Sequence, residues 1–228
     1  MKTLINTLTL ILCACTIHAQ TDCQPYIPIT KGSKWELTNY SKKGKKTGRA
    51  AYELIDKVTN GDQITFTMNI IAYDKKDKEI FNNTSTATCE EGHFKFDMSY
   101  KMDGSTMEAY EDMDLAIDAS DFEIPTFDQA VGTSLEDGKM TIEIGQVGIK
   151  MKVSITDRKI EAKEEVTTPA GTFNCMVLTH KIKTKLVINI KGSAKEWYAK
   201  DIGLVKTESY NKKGKLTGSS VLTKLDLK

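Results

Sequence analysis

The residues that most often carry chemistry are few in this chain and widely separated. Two histidines, His93 and His180, lie on predicted strands far apart in the sequence, and the remaining histidine falls within the first 19 residues. Cys175 and His180 are five apart on one predicted strand, so their side chains point to opposite faces and form no nucleophile-base pair. The nucleophile elbow, the zinc-protease helix and the glycine-rich phosphate loops all lack their local signature. We therefore expect no catalytic, cofactor-binding or metal-binding residues, and no cofactor.

One class of enzyme leaves no such signature. A pair of carboxylates for glycoside hydrolysis is assembled in space, so its spacing cannot be read from a sequence. Eleven acidic residues and no Lys or Arg lie between Met102 and Gly138. A hydrolase acting on envelope glycans through carboxylates of this acidic segment is therefore the alternative to a non-enzymatic protein.

The first 19 residues have the features of an export signal. Lys2 precedes an apolar stretch from Leu4 to Cys15, and Ala19 offers a cleavage point before Gln20. The stretch is too short to span a bilayer, and no later segment is long and apolar enough to do so. We expect an exported protein of the periplasm or outer membrane, with residues 20–228 as one β domain. The weaker alternative is a lipoprotein with Cys15 as its acylated first residue.

The net charge of the chain argues against a nucleic-acid partner. The chain has 32 Lys plus Arg against 31 Asp plus Glu, and loss of Lys2 with the signal leaves no net charge. A neutral chain of ordinary hydrophobicity is not typical of nucleic-acid-binding proteins. We expect a monomer or weak oligomer.

Most of the chain beyond Lys34 alternates apolar and polar residues with period two, and short turns interrupt it. This pattern predicts an all-β fold, a large curved antiparallel sheet forming a half-barrel or open barrel, with one short helix at 105–113. Residues 118–128 are predicted to be irregular. The predicted strands are 35–40, 49–58, 63–73, 79–88, 93–98, 140–145, 149–156, 159–166, 173–190, 195–199, 204–210 and 215–225.

Two turn patterns are specific. A strand ending on Tyr is followed by a lysine-rich tip three times, at 40–45, 73–78 and 210–215, and Gly44, Asp77 or Gly214 falls where a tight hairpin favours a left-handed residue. We also expect Gly171 to take a positive φ in the turn that Pro169 begins.

Three cysteines remain after the signal, so one thiol has no intramolecular partner. Counting strand directions places Cys89 at the end of the sheet where the first strand begins, and Cys23 precedes that strand. We predict a Cys23–Cys89 disulfide with Cys175 as a buried thiol; Cys89 with Cys175 is the rival pairing.

Several segments form a set that extends across the mature chain, including CQPYIP at 23–28, KGSKWE at 31–36, CEEG at 89–92, TPAGTFNC at 168–175 and EWYA at 196–199. As a set, these motifs resemble the TapB-like family of secreted Bacteroidota proteins, which is related to a domain of unknown function. The resemblance implies a mostly β envelope protein with no established activity, and no functional residue is carried over from it.

We therefore expect a non-enzymatic binding or scaffold protein. Apolar residues at Ile64, Phe66, Met68 and Ile70, and again at 186, 188 and 190, predict one apolar sheet face. The concave face would hold a lipid-like or other apolar ligand, or pack on an envelope protein partner.

Overall fold

The computed structural model describes residues 23–97, 115–144, 149–186 and 189–228. Thirteen strands form one antiparallel sheet, and no helix occurs in these ranges. The strands are β1 (Lys34–Ser41), β2 (Lys46–Asn60), β3 (Gln63–Asp74), β4 (Glu79–Glu90), β5 (His93–Asp97), β6 (Leu115–Ala119), β7 (Asp121–Ile124), β8 (Gly138–Ile144), β9 (Ile149–Thr168), β10 (Gly171–Lys185), β11 (Asn189–Ala199), β12 (Gly203–Asn211) and β13 (Leu216–Asp226). The predicted all-β class is confirmed, and the helix predicted at 105–113 lies outside the described residues.

The sheet is open, but its edges approach each other. Its strand order is β6-β8-β9-β10-β11-β12-β13-β1-β2-β3-β4-β5-β7, so β6 and β7 are the two edge strands. Only Ser120 separates them in the chain, and its backbone N–H donates to the Lys139 carbonyl oxygen of β8 at 2.9 Å. One residue spans less than 4 Å, so the sheet curls until its two edges come together here.

The inner side of this curl is filled by the protein's own core. Phe66 and Met68 of β3 are buried, and so are aromatic rings of β5 and β7. Tyr26, from the segment before β1, packs against Phe94 of β5 at 6.2 Å and Tyr198 of β11 at 5.8 Å between ring centroids. Since β5 and β11 are far apart in the strand order, Tyr26 lies between opposite walls of the curl.

The three lysine-rich tips share one geometry, which confirms the turn prediction. Gly44, Asp77 and Gly214 have φ of 72°, 61° and 69°. Each loop is closed by the same two backbone hydrogen bonds: in the first, the Ser41 N–H donates to the Lys45 carbonyl at 2.9 Å, and the Gly44 N–H to the Ser41 carbonyl at 2.8 Å. The other two loops form the equivalent bonds at 74–78 and 211–215.

The predicted turn at Gly171 is also present. β9 and β10 are joined by Pro169 and Ala170, and Gly171 has a φ of 138°, so its predicted positive φ is confirmed. A side chain at this φ is strained, which explains why glycine follows the turn.

Two predicted strand boundaries are wrong for reasons in the neighbouring strands. β9 continues through the predicted break at 157–158. Asp157 has a φ of 53° and the β9–β10 register shifts there, so the irregularity is a β-bulge within one strand and not a turn between two. The predicted strand 173–190 is in fact two strands, β10 ending at Lys185 and β11 beginning at Asn189, so β11 runs through Gly192 in the predicted break at 191–194. A Cβ atom at Gly192 would lie 2.5 Å from the Tyr210 carbonyl oxygen, so glycine allows β12 to approach.

The prediction that 118–128 is irregular is wrong over half of its length. β6 ends at Ala119, and β7 covers Asp121–Ile124. Phe122 and Ile124 are buried at the edge where the sheet comes together. A strand of only four residues gives little periodic signal, because so few positions repeat.

Candidate functional site

Cys23 and Cys89 lie next to each other, and Cys175 lies apart from them. The Cα atoms of Cys23 and Cys89 are 6.0 Å apart and their sulfur atoms are in contact, a separation that a disulfide spans. Cys175 is fully buried and its thiol donates to the Phe173 carbonyl oxygen at 3.5 Å. Burial raises the pKa of the Cys175 thiol to about 12, assisted by the negative charge of Glu164. Cys175 thus behaves as a small core residue and not as a nucleophile.

The two histidines have separate surroundings. His93 is exposed on β5, and its Nδ1 lies 2.9 Å from Oε1 of Glu123 on β7. His180 is buried on β10. In the ranges that the structure covers, no cluster of three His, Cys, Asp or Glu side chains is arranged to hold a metal ion.

A cavity of 490 Å³ lies between β5, β7, the loop after β7 and β9, and is lined by the buried Arg158. Arg158 of β9 donates from Nη1 to the Glu136 carbonyl at 2.6 Å and from Nη2 to the Glu123 carbonyl at 2.5 Å. Its guanidinium also lies 3.7 Å from the centre of the Phe122 ring. Burial lowers the pKa of Arg158, so its desolvation is a cost that these contacts offset. Arg158 joins β9 to β7 and to the loop after it, which is a structural role.

If the protein were a hydrolase that uses carboxylates of the acidic segment, this cavity would hold them. Glu123, Glu136 and Asp137 line it together with Arg158 and Lys95. A general acid requires a carboxyl group whose pKa is raised. Five carboxyl groups elsewhere in the described ranges have a pKa that hydrogen bonds or neighbouring cations lower: Asp74, Asp77, Asp128, Glu161 and Glu208.

A cleft of 520 Å³ lies on the outer face of β13, β1, β2 and β3. The cross-strand partners Glu36, Ala51 and Ile71 form one row on this face, because Trp35 and Leu37 on either side of Glu36 belong to the core. Ala51 is small and Ile71 is only half-buried, so the row leaves an apolar depression. We name this depression, with its rim residues, the outer cleft.

Ion pairs form the rim of the outer cleft. Lys34 pairs with Glu53 at 3.2 Å between Nζ and Oε2, and Lys224 pairs with Glu36 at the same distance. Glu36 is 8% exposed and also accepts a hydrogen bond from Nη1 of Arg49 at 2.9 Å. A partly buried carboxylate with two cationic partners is held in a fixed place. The outer cleft therefore combines an apolar floor with a rigid charged rim.

The stacked rings of Trp35 and Tyr52 lie behind this floor. Their centroids are 5.3 Å apart and their planes differ by 6°. Trp35 is buried, and both residues also line the outer cleft. The stacking fixes the strand positions that carry Ala51 and Glu36, so the cleft is built on rigid elements of the sheet.

The apolar residues that indicated a ligand-binding concave face do not line an open one, because the inner side of the curl is filled. Phe66 and Met68 are part of the core, while Leu186 and Ile190 are exposed beside the β10–β11 turn, at 38% and 59%. Sequence reasoning missed the outer cleft and Arg158, since both depend on register between strands. The sequence around Lys34, Glu36, Ala51 and Glu53 does not by itself show which strands pair.

These features define a class: an all-β protein with one open, tightly curled antiparallel sheet, a filled inner side and a cleft on its outer face. A model of the DUF3108-like family matches residues 30–222, and the chain belongs to this family.

Two solved structures have the same fold. A candidate lipoprotein of Parabacteroides distasonis superposes with a TM-score of 0.80 at 23% identity, over 90% of this chain and all of that one. A candidate exported protein of Bacteroides fragilis, described as having a YmcC-like fold, superposes with a TM-score of 0.77 at 24% identity and the same coverage. No curated protein matches this chain. Among the described residues there is no helix of the length and apolarity needed to cross a membrane.

Proposed function

We propose that this chain is an exported envelope protein that binds a small amphiphile in the outer cleft and catalyses no reaction. The observation that carries the proposal is the cleft itself, which has an apolar floor at Ala51 and Ile71 and a rim of ion pairs. Its volume of 520 Å³ is in the range of small-molecule sites, which are mostly apolar with a few fixed polar groups. An acyl chain would lie on the floor, and its polar group would reach Lys34 or Lys224.

Export and location are part of the same proposal. Residues 1–19 would be removed as a signal peptide, residues 20–228 would form the single mature domain, and acylation at Cys15 is the alternative. The fold supports this because one similar structure is described as a candidate lipoprotein and another as a candidate exported protein. The TapB-like resemblance of the sequence stays a prediction.

Fluorescence of 1-anilinonaphthalene-8-sulfonate tests the cleft directly, because this probe is apolar with one anionic group. We expect saturable binding to the mature protein. Ala51→Phe places a ring on the cleft floor and is expected to weaken binding about tenfold or more.

Thr86→Phe is the matched control. Thr86 is exposed on β4 and pairs with Thr67 of β3. Thr67 is four residues before Ile71 on the same strand, so Thr86 and Ile71 lie on the same face of the sheet. It is not among the residues lining the cleft. Equal probe affinity of Ala51→Phe and the unmodified protein, with both folded by circular dichroism, would contradict the proposed binding site.

A further inference from the structure

Strand directions bring the lysine-rich tips to one end of the sheet. All neighbouring strands are antiparallel, so β1, β3, β10 and β12 run in the same direction and end on the same side. The loops 42–45, 75–78 and 212–215 follow three of these strands, and the β10–β11 turn follows the fourth. We name the three loops, together with residues 183–186 and 190–191, the basic end.

The charge of the basic end is strongly one-sided. Its three loops contain nine lysines and one carboxylate, Asp77. Asp77 is already paired with Lys46 and Arg49, at 2.8 Å each. All nine loop lysines are exposed, and none forms an ion pair with a carboxylate in the described part of the chain. A chain with no net charge after the signal therefore concentrates positive charge at one end.

Exposed aliphatic side chains accompany these lysines. Leu186 and Ile190 are on the two sides of the β10–β11 turn, and Leu216 follows the loop 212–215. Lys183, Lys185 and Lys191 flank the turn residues and are exposed as well. A hairpin tip with exposed aliphatic residues and a collar of lysines is suited to the boundary between lipid headgroups and acyl chains.

The size of the basic end fits a surface better than a small ion. Eight neighbouring strands, from β10 to β4, carry the tips, which gives an arc of roughly 34 Å along the curled sheet at the spacing of paired strands. Nucleic acids and acidic polysaccharides would meet the lysines but would leave Leu186 and Ile190 exposed to water. An anionic bilayer satisfies both the charge and the aliphatic residues.

We propose that the basic end docks this protein on an anionic lipid bilayer, with the lysines at the headgroups and Leu186 and Ile190 inserted below them. This surface is distinct from the outer cleft, so the docking is independent of the proposed ligand. Each lysine near an anionic membrane strengthens binding by about fivefold, and salt screens this attraction.

Co-sedimentation of the mature protein with vesicles tests the proposal. Vesicles of phosphatidylglycerol and phosphatidylethanolamine should bind the protein at low salt, and pure phosphatidylcholine vesicles should not. Replacing Lys42, Lys43 and Lys45 with serine is expected to lower binding by about a hundredfold. Replacing Lys57, Lys200 and Lys228, which lie toward the opposite end of the sheet, is expected to leave it unchanged.

The aliphatic contribution is tested by a second variant. Leu186→Ser with Ile190→Ser exchanges exposed side chains, so the fold should persist, and vesicle binding is expected to fall about tenfold or more. Failure of the unmodified protein to bind the anionic vesicles would overturn the proposal. Loss of binding in the lysine variant only, with the double serine variant unchanged, would also overturn it, because the protein would then contact headgroup charge without inserting Leu186 and Ile190.

Discussion

Arg158→Met should destabilise the protein more than most substitutions, because Arg158 joins strands that no backbone ladder connects. Its guanidinium supplies donors to the carbonyl oxygens of Glu123 and Glu136 and contacts the Phe122 ring. A hydrogen bond from a charged donor contributes about 1.5 to 3 kcal/mol, and the ring contact adds about 1 kcal/mol. Relief of the buried charge offsets part of this sum. We expect a net loss of about 3 kcal/mol in the free energy of unfolding.

Urea unfolding followed by circular dichroism measures this loss as a lower midpoint at an unchanged slope. Arg158→Lys should recover only part of it, because one ammonium group does not reach both carbonyls with the geometry of a guanidinium. Lys159→Met is the matched control: its side chain is 51% exposed and paired with Glu161, and its removal should cost less than about 0.5 kcal/mol. A loss below about 1 kcal/mol for Arg158→Met would refute the argument that this contact holds the edges together.

The remaining predictions concern a turn, a charge and the thiols. Gly171→Ala should lower stability by about 1 kcal/mol in thermal unfolding, because alanine is strained at a φ of 138°, and an unchanged or raised melting temperature would contradict this. Hydrogen bonds from two cationic side chains lower the pKa of Asp77. The extra stability of the unmodified protein relative to Asp77→Asn should therefore be present above the ordinary pKa of 3.8 and be lost as the pH falls through the lower pKa of Asp77 in the folded state. Melting curves of both proteins from pH 7 to pH 3 measure this loss. Cys175 should react with a thiol reagent at pH 8 only after unfolding, and rapid labelling of the folded protein would contradict its burial. Non-reducing peptide mapping should join Cys23 to Cys89, and a free Cys23 thiol would disprove that pairing.

The sequence predicted the parts of the fold that depend on local rules. The lysine-rich tips follow from residues within one turn, which is why the positive φ at Asp77 could be expected beside that at Gly44 and Gly214. The predicted break at 191–194, around Gly192, is wrong for the opposite reason. A glycine inside a strand indicates either a turn or a close neighbour, and only β12 shows which applies.

The candidate site depends almost entirely on long-range pairing. Ala51 and Glu36 become neighbours only when β1 and β2 take their register, and Ile71 joins them through β3. Arg158 lies beside a bulge whose place in β9 has no sequence signal, and its partners come from residues more than 20 positions away. Strand direction, in contrast, can be counted from the turns; the Cα atoms of Cys23 and Cys89 are 6.0 Å apart, and their pairing stays a prediction.

Native purification followed by lipid extraction and mass spectrometry tests the proposed function most directly. The unmodified protein, Ala51→Phe and Thr86→Phe would be purified in parallel from the envelope of the producing cell. We predict that one class of amphiphile accompanies the unmodified protein and Thr86→Phe in near-stoichiometric amount and is depleted from Ala51→Phe. An equal amount in all three proteins, or none in any of them, would contradict an amphiphile-binding cleft between Glu36 and Ile71.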